Sequence, residues 1–553
     1  MTNAASGNIL KADSLMSTHK TVTRAAVIMV AAISLSRVLG LVRDMVISGL
    51  FGQGRNTDIY YAAFRLPDLL FYLIAGGVLS AAFVPVFVEY LSKGERDQAW
   101  ELFSVIASIM AIFVSGFILI GEIFARQLVP IVATPGIRDP VALDHLAYLT
   151  RIVLPAQFFF FMGGLMMASL WAHQHFTAPG LGPSIYNICI IIGGAIAGTQ
   201  FGPNAVQGLA WGALIGAFIG NFVLQFIVLR RYGLSYKPNF NFRHPGAVKV
   251  WKLMVPVIFS LSLTYVNVYI NSWFASFLFP GAISALDRAN RLMQVPIGVF
   301  GQAIGIGFYT TLAAQFATNK MEEFRETVNY GLRVVAFAAI PSSVMLIVLR
   351  VPIIQLLFQH GHFSAQNTID VADPLIFYAV GILPWSAHPL IARAFYSMRN
   401  TWIPMITGTV VTVVFIALNY VLMKGMQQTQ FRGHSGLALA TTISAAGNAA
   451  VLIFLLQRKI DGLNGRRIAT SFTKISAASA VMGASAWAAL KLIEGLTPLG
   501  LPFKVQAGIQ FAVPTLAGGL LFVAMVRLLR MEEAAAVWNI VTRKFSKRSS
   551  EAG

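Results

Sequence analysis

The sequence predicts an all-α polytopic membrane protein with about fourteen transmembrane helices, and three observations predict it. Of 553 residues, 56% are hydrophobic. Only 11% are charged, against about a quarter in soluble domains, and the mean hydropathy is +0.69. Apolar stretches of spanning length recur from end to end, parted by polar connections. The basic excess, a net charge of +19, gathers in alternate connections, as the positive-inside rule requires.

Taken in order, the apolar segments run roughly 24–51, 58–90, 99–130, 145–172, 179–200, 205–230, 250–279, 284–317, 325–357, 370–397, 402–424, 435–457, 469–494 and 504–530. Residues 1–23 are polar and lack a small-residue cleavage site behind a short apolar core, so they read as a cytoplasmic tail, not a signal peptide. From that start, connections after even-numbered spans are expected to be basic. The sixth carries Arg230, Arg231, Lys237, Arg243, Lys249 and Lys252. The twelfth carries Arg458, Lys459, Arg466 and Arg467, and the C-terminal tail Arg543, Lys544, Lys547 and Arg548. Both termini are therefore expected in the cytoplasm. The connections after spans two and four are silent.

The sixth connection divides the first twelve spans into two similar halves. Ala63-Phe64-Arg65-Leu66 lies over Ala289-Asn290-Arg291-Leu292, an offset of 226. Leu154-Pro155 lies over Leu383-Pro384, offset 229, and Pro179 over Pro404, offset 225. Six spans per half is an even number, so the halves share an orientation, and transporters built this way place the substrate between them. The expected organisation is a cytoplasmic tail (1–23), a first lobe of six spans (24–230), a cytoplasmic linker (231–249), a second lobe of six (250–457), two extra helices (469–530) and a basic cytoplasmic tail (531–553).

Spans one, two and eight carry unusual charge. An Arg or Asp at the centre of a membrane helix costs about 2.5–3.5 kcal/mol, so it faces protein or a wet cavity. Span one holds Arg37, Arg43 and Asp44; span two Asp58, Arg65 and Asp68; span eight Asp287, Arg288 and Arg291. Arg37 and Arg43 are six residues apart, about 240° around a helix, so they do not share a face. Gly40 between them could let the helix bend toward one cavity. Against the cavity reading, Arg43 pairs locally or snorkels and Arg37 binds a backbone carbonyl. Asp287 and Arg291 have the spacing of an intrahelical ion pair. Asp58 pairs with Arg55 or caps its helix. Arg65 precedes Leu66-Pro67, where a helix break is expected and a backbone carbonyl becomes available.

Five arginines meet four aspartates in these spans, and the planar arginine fork suits phosphate or carboxylate, so an anionic ligand is expected. Arg37, Arg43, Arg65 and Arg291 are the candidate binding residues; Asp44, Asp58, Asp287 and Arg288 are the candidate gating or ion-pairing ones. The glycines Gly76-Gly77, Gly163-Gly164, Gly298, Gly301, Gly305 and Gly307 permit close helix packing or bending.

Other classes of function find little support. No nucleic-acid motif is present. The single cysteine, Cys189, excludes an internal disulfide and any CxxC. His360 and His362 flank Gly361 in what reads as an interfacial loop before a metal pair. No P-loop, metal cluster or nucleophile elbow occurs, so no catalytic residue, metal or cofactor is expected.

Several runs resemble the MurJ (MviN) lipid II flippases of the multidrug/oligosaccharidyl-lipid/polysaccharide exporter superfamily. They are Ser36-Arg37-Val38-Leu39-Gly40 with Arg43-Asp44, Thr57-Asp58, Ala63-Phe64-Arg65-Leu66-Pro67 and Ala81-Ala82-Phe83-Val84-Pro85. Ala133-Thr134-Pro135-Gly136, Asn290-Arg291-Leu292-Met293 with Pro296 and Gly298, and Leu357 through Phe363 complete the set. The resemblance implies two six-helix lobes plus two C-terminal helices that form a groove for a lipid tail. It implies a flippase of the bacterial cytoplasmic (inner) membrane, acting as a monomer among membrane lipids. The implied substrate is the undecaprenyl-diphosphate-linked peptidoglycan precursor, its diphosphate met by Arg37, Arg43 and Arg291. The alternatives are a flippase for another polyprenyl-linked glycan or a MATE-like multidrug exporter, although a cation exporter calls for an acidic cavity. Where many relatives carry a basic residue and then a glutamate, this chain has Phe71 and Gly76, which puts gate polarity in question.

Overall fold

The computed structural model describes residue 32 and residues 34–74, 78–132, 134–496 and 502–534. The tails at 1–23 and 535–553, the pair Gly76-Gly77 and Ala133 lie outside the described residues. Those that are described form helices and connections, with no strand among them. With no water in hydrocarbon to satisfy backbone amides, helices that close their own hydrogen bonds are the way for such segments to cross.

The chain separates into two compact units, Met1–Trp273 and Phe274–Gly553. The first contains α1 (34–51), α2 (Arg55–Ala63), α3 (Arg65–Ile74), α4 (Val78–Ser92), α5 (Arg96–Val132), α6 (Pro140–Val153), α7 (Ala156–Ala172) and α8 (Thr177–Phe201). It continues through α9 (Gln207–Gly216), a π-helical turn (Ala217–Val223), α10 (Leu224–Arg230) and α11 (Pro245–Ala275), which ends just past the boundary. The second contains α12 (Ala282–Pro296), a π-helical turn (Ile297–Gly301), α13 (Gln302–Ala317), α14 (Met321–Val348) and α15 (Arg350–Leu357). There follow α16 (Ala365–Val380), α17 (Ile382–Ser397), α18 (Trp402–Met426), α19 (Arg432–Lys459), α20 (Gly465–Leu496) and α21 (Phe503–Leu528).

Over the described residues the fourteen apolar segments fall on helices or on helices broken once or twice. Among the described residues nine helical stretches are long and apolar enough to cross a membrane, and α16 with α17, bent by 41°, makes a tenth. The other four segments are charged, broken, or run into residues outside the description. In the first unit Phe83, Phe87, Val105, Ile106, Phe161 and Leu165 build a core among α4, α5 and α7. On the outer face of α5, Ile112, Phe113, Leu119, Ile120 and Ile123 stand exposed. A soluble monomer rarely shows an apolar surface of that extent; toward lipid it costs nothing.

The breaks follow proline chemistry. Pro67 has no N–H to give Ala63 and its ring crowds that carbonyl, so α2 stops at Ala63 and α3 restarts at Arg65. Leu154-Pro155 separates α6 from α7, and the matching Leu383-Pro384 directly follows the bend at Gly381. Pro179 and Pro404 are each the third residue of their helix, α8 and α18, inside the first turn where a missing N–H does no harm. The third pairing differs. Arg65 sits immediately after a break, whereas Arg291 lies within continuous α12, whose π-helical turn comes later.

Two serines explain how the basic sixth connection is held. Ser104 Oγ accepts from Lys237 N at 3.2 Å, and Ser108 Oγ accepts from Asn239 N at 3.1 Å. The connection thus lies along the first turns of α5, at the same end of the unit as residues 93–96.

Gly163 and Gly164 divide the two roles expected of glycine. A Cβ on Gly163 would lie 2.0 Å from the Asn221 carbonyl oxygen in the first π-helical turn, while one on Gly164 meets nothing within 4 Å. Gly163→Ala is therefore expected to cost about 1–3 kcal/mol through overpacking, lowering the melting temperature of the purified protein. Gly164→Ala should leave it unchanged or raise it by up to about 1 kcal/mol, the helix-propensity gain.

Candidate functional site

In the first unit the charged stretch of α1 runs as one helix through Gly40. A Cβ at Gly40 would sit 3.9 Å from the Asn187 amide nitrogen of α8, an ordinary van der Waals contact. That amide organises the site. Arg43 Nη1 donates to Asn187 Oδ1 at 3.0 Å, while Arg43 Nε and Nη2 donate to Asp44 Oδ1 at 3.2 and 3.0 Å. Asn187 Nδ2 in turn donates to the carbonyls of Pro183 at 3.0 Å and Ser36 at 3.3 Å. Asp44 is 4% exposed, so the pair is shielded from screening by water and is held by three different groups.

Arg37 behaves differently. It is exposed where Arg43, six residues on, is half-buried, and among the described residues it has no hydrogen-bond or ion-pair partner. A guanidinium with five uncommitted donors on an apolar helix can receive a planar anion from outside the protein.

Arg65 is buried and its Nε donates to Ser272 Oγ of α11 at 3.2 Å. This contact is to a side-chain hydroxyl on another helix. Asp58 is buried in the first turn of α2, but Gly54 takes the N-cap position, so Asp58 does not cap the helix. Its carboxylate near the helix N-terminus still meets the favourable end of the dipole. Phe71, at the departure from the family pattern, packs edge-on against Phe160, ring centroids 5.8 Å apart.

In the second unit Arg291 Nε and Nη2 both donate to Asp287 Oδ2, at 3.2 and 3.1 Å. The Arg291 side chain keeps 39% exposure against 16% for Asp287, so the intrahelical pair orients the guanidinium while leaving one side of it accessible. Arg288 differs in burial. It is fully buried, with its guanidinium carbon 5.4 Å from the centre of the Phe363 ring, a cation–π contact that replaces hydration. Gly301 and Gly305 bring this span against α17; a Cβ on Gly301 would lie 2.9 Å from Ser386 Cα.

Two supporting residues escaped the sequence reading: Asn187 and Ser272. Asn187 was findable, being a lone amide in an otherwise apolar stretch of α8. Ser272 carries no such signal, and Phe363 closes one of the runs quoted from the sequence without a role assigned to it. Among the described residues no group of three or more His, Cys, Asp or Glu could hold a metal ion.

Residues 47–504 match the model of the family described as lipid II flippase MurJ. The chain belongs to the lipid II flippase MurJ family. The match begins just downstream of Arg37, Arg43 and Asp44. Relatives include a probable lipid II flippase MurJ of Vibrio cholerae serotype O1, 30% identical over 443 residues, covering 78% of this chain and 82% of that one. A lipid II flippase MurJ of Burkholderia cenocepacia is 30% identical over 433 residues, covering 77% and 81%. A solved lipid II flippase MurJ in an inward closed conformation shares the fold, with a TM-score of 0.73 at 24% identity over 94% of this chain and 99% of that one. An inward-facing MATE-family transporter of the MOP superfamily follows at TM-score 0.62 and 14% identity, covering 79% and 98%. MurJ membership makes this chain a multi-pass membrane protein of a transporter family.

The geometry separates the roles of two arginines on one helix. Asn187→Ala leaves a donor of the half-buried Arg43 without its acceptor and should cost about 1.5–3 kcal/mol, read as a lower melting temperature. Arg37→Ala removes no partner and should leave the melting temperature unchanged.

Proposed function

We propose that this protein is a flippase that carries the undecaprenyl-diphosphate-linked peptidoglycan precursor from the inner to the outer leaflet of the bacterial cytoplasmic membrane by alternating access. The observation that carries this reading is Arg37: a free, exposed guanidinium on an apolar helix, in a chain of the lipid II flippase MurJ family. Arg291, oriented by Asp287 and partly exposed, is the second contact for the diphosphate. Arg43, half-buried, and Arg65, buried, complete the binding set, each held by a neighbouring polar side chain. Asp44, Asp58, Asp287 and Arg288 hold these side chains in place.

The proposal includes lobes at 24–230 and 250–457 joined by the cytoplasmic linker, with 469–530 taking the lipid tail. Both termini lie in the cytoplasm, and the protein moves its substrate as a monomer without covalent chemistry. Phosphate and arginine fit because two parallel N–H donors match two oxygens, and an apolar surround keeps water from competing.

The test is rescue of a bacterium depleted of its own lipid II flippase. The wild-type chain should restore growth, while Arg37→Ala and Arg291→Ala should fail at undiminished membrane levels. Each loses roughly 2 kcal/mol of diphosphate binding, some thirty-fold in affinity. Arg37→Lys keeps the charge without the fork and should rescue only in part. Normal growth on either alanine variant would remove the assignment.

A further inference from the structure

Where the start of α20 meets the middle of α14 and the stretch following α21, five cations line a cavity of about 380 Å³: Arg333, Arg466, Arg467, Lys474 and Arg530. Two carboxylates answer them, Glu532 and Glu533, which leaves three positive charges in excess. The carboxylates play unequal parts. Glu533 is 3% exposed, pairs with Arg333 at 2.9 Å and accepts from Ser471 Oγ at 2.7 Å. It is the fixed counter-ion of a buried arginine. Glu532 has a side chain 64% exposed, and one of its oxygens stands between Arg333 Nη1 at 3.4 Å and Arg467 Nη2 at 3.2 Å.

Arg333 itself is 7% exposed, and its Nε is a buried donor with no partner. Native structures seldom leave such a group unanswered, and an unanswered one calls for a ligand. Arg466 and Arg530 make no side-chain hydrogen bond or ion pair among the described residues, and Lys474 commits one donor to the Leu529 carbonyl at 3.3 Å. The hydrogen bond from Arg467, then that from Arg333, hold the Glu532 carboxyl below its usual range, so it stays anionic.

We propose that this cavity binds the phosphate of a membrane lipid, with Glu532 occupying the position of one phosphate oxygen between two guanidiniums and yielding it to the ligand. The inference rests on the cytoplasmic placement of the C-terminus given under the proposed function. Basic pockets between helices on that side are built to hold lipid head groups, and the forked donors of Arg333 and Arg467 suit phosphate oxygens. The phosphodiester of an anionic phospholipid and the diphosphate of a polyprenyl carrier share this chemistry.

The full chain carrying Arg37→Ala, reconstituted in phosphatidylcholine nanodiscs, would be titrated with phosphatidylglycerol or with undecaprenyl diphosphate and lipid retention read by native mass spectrometry. On that background a failure of the transport assignment leaves the result untouched. Adding Arg467→Gln, an exposed position that spares the Arg333–Glu533 pair, should weaken retention about ten-fold. Adding Glu532→Gln should strengthen it a few-fold, because the competing anion is gone. Both effects with phosphatidylglycerol alone identify a phospholipid site; both with undecaprenyl diphosphate alone identify a carrier site; both with each lipid identify a general lipid-phosphate site. If neither substitution alters retention of either lipid, or Glu532→Gln weakens it, the proposal is overturned.

Discussion

A guanidinium inside a hydrocarbon-spanning helix has to be answered by protein or by water, because it cannot shed its proton and lipid offers it nothing. The charged spans of this chain are arranged around that constraint. Arg43 is answered by Asp44 and Asn187, Arg291 by Asp287, Arg288 by a ring face, and Arg65 by a serine from α11. Arg37 alone of these five is presented outward without a partner among the described residues. Each answered arginine is fixed within its own unit, and the one without a partner among the described residues is where a ligand can make a difference.

The scaffold that holds these groups is apolar on its outer faces and tolerates breaks only where the chain supplies its own remedy. Pro67 and Pro155 interrupt helices inside the protein, where neighbouring backbone and side chains can take up the freed groups. Gly163, pressed against the Asn221 carbonyl, shows the complementary device, a position where removing a side chain lets two backbones approach.

Much of this was legible in the sequence, and the reason differs from feature to feature. Helix count and type follow from long apolar runs, a signal that hydrocarbon makes strong because each span must be apolar over its whole length. The break at Pro67 follows from a missing donor and a ring clash, which are local effects. The Asp287–Arg291 pair is likewise local, four residues along one helix. Tertiary partners were harder to read. That Arg43 would be met by Asn187 depended on a side chain 144 residues away in the chain. Asp58 did not become the cap because Gly54, one turn earlier, took that position. The likeness of Arg65 and Arg291 in the repeat concealed different settings, one after a helix break and one within a helix, because three matching positions say nothing about where the backbone is interrupted.

The two π-helical turns, at Ala217–Val223 and Ile297–Gly301, carry an evolutionary implication. Each holds one more residue than an α-helical turn would, so everything beyond it is rotated by about 100° relative to an uninterrupted helix. In the second, the register of Arg291 upstream is thereby decoupled from that of α13 downstream. A lineage that gained or lost a single codon there would swing half a span onto a new face while keeping its composition, a route to altered specificity that leaves hydropathy untouched.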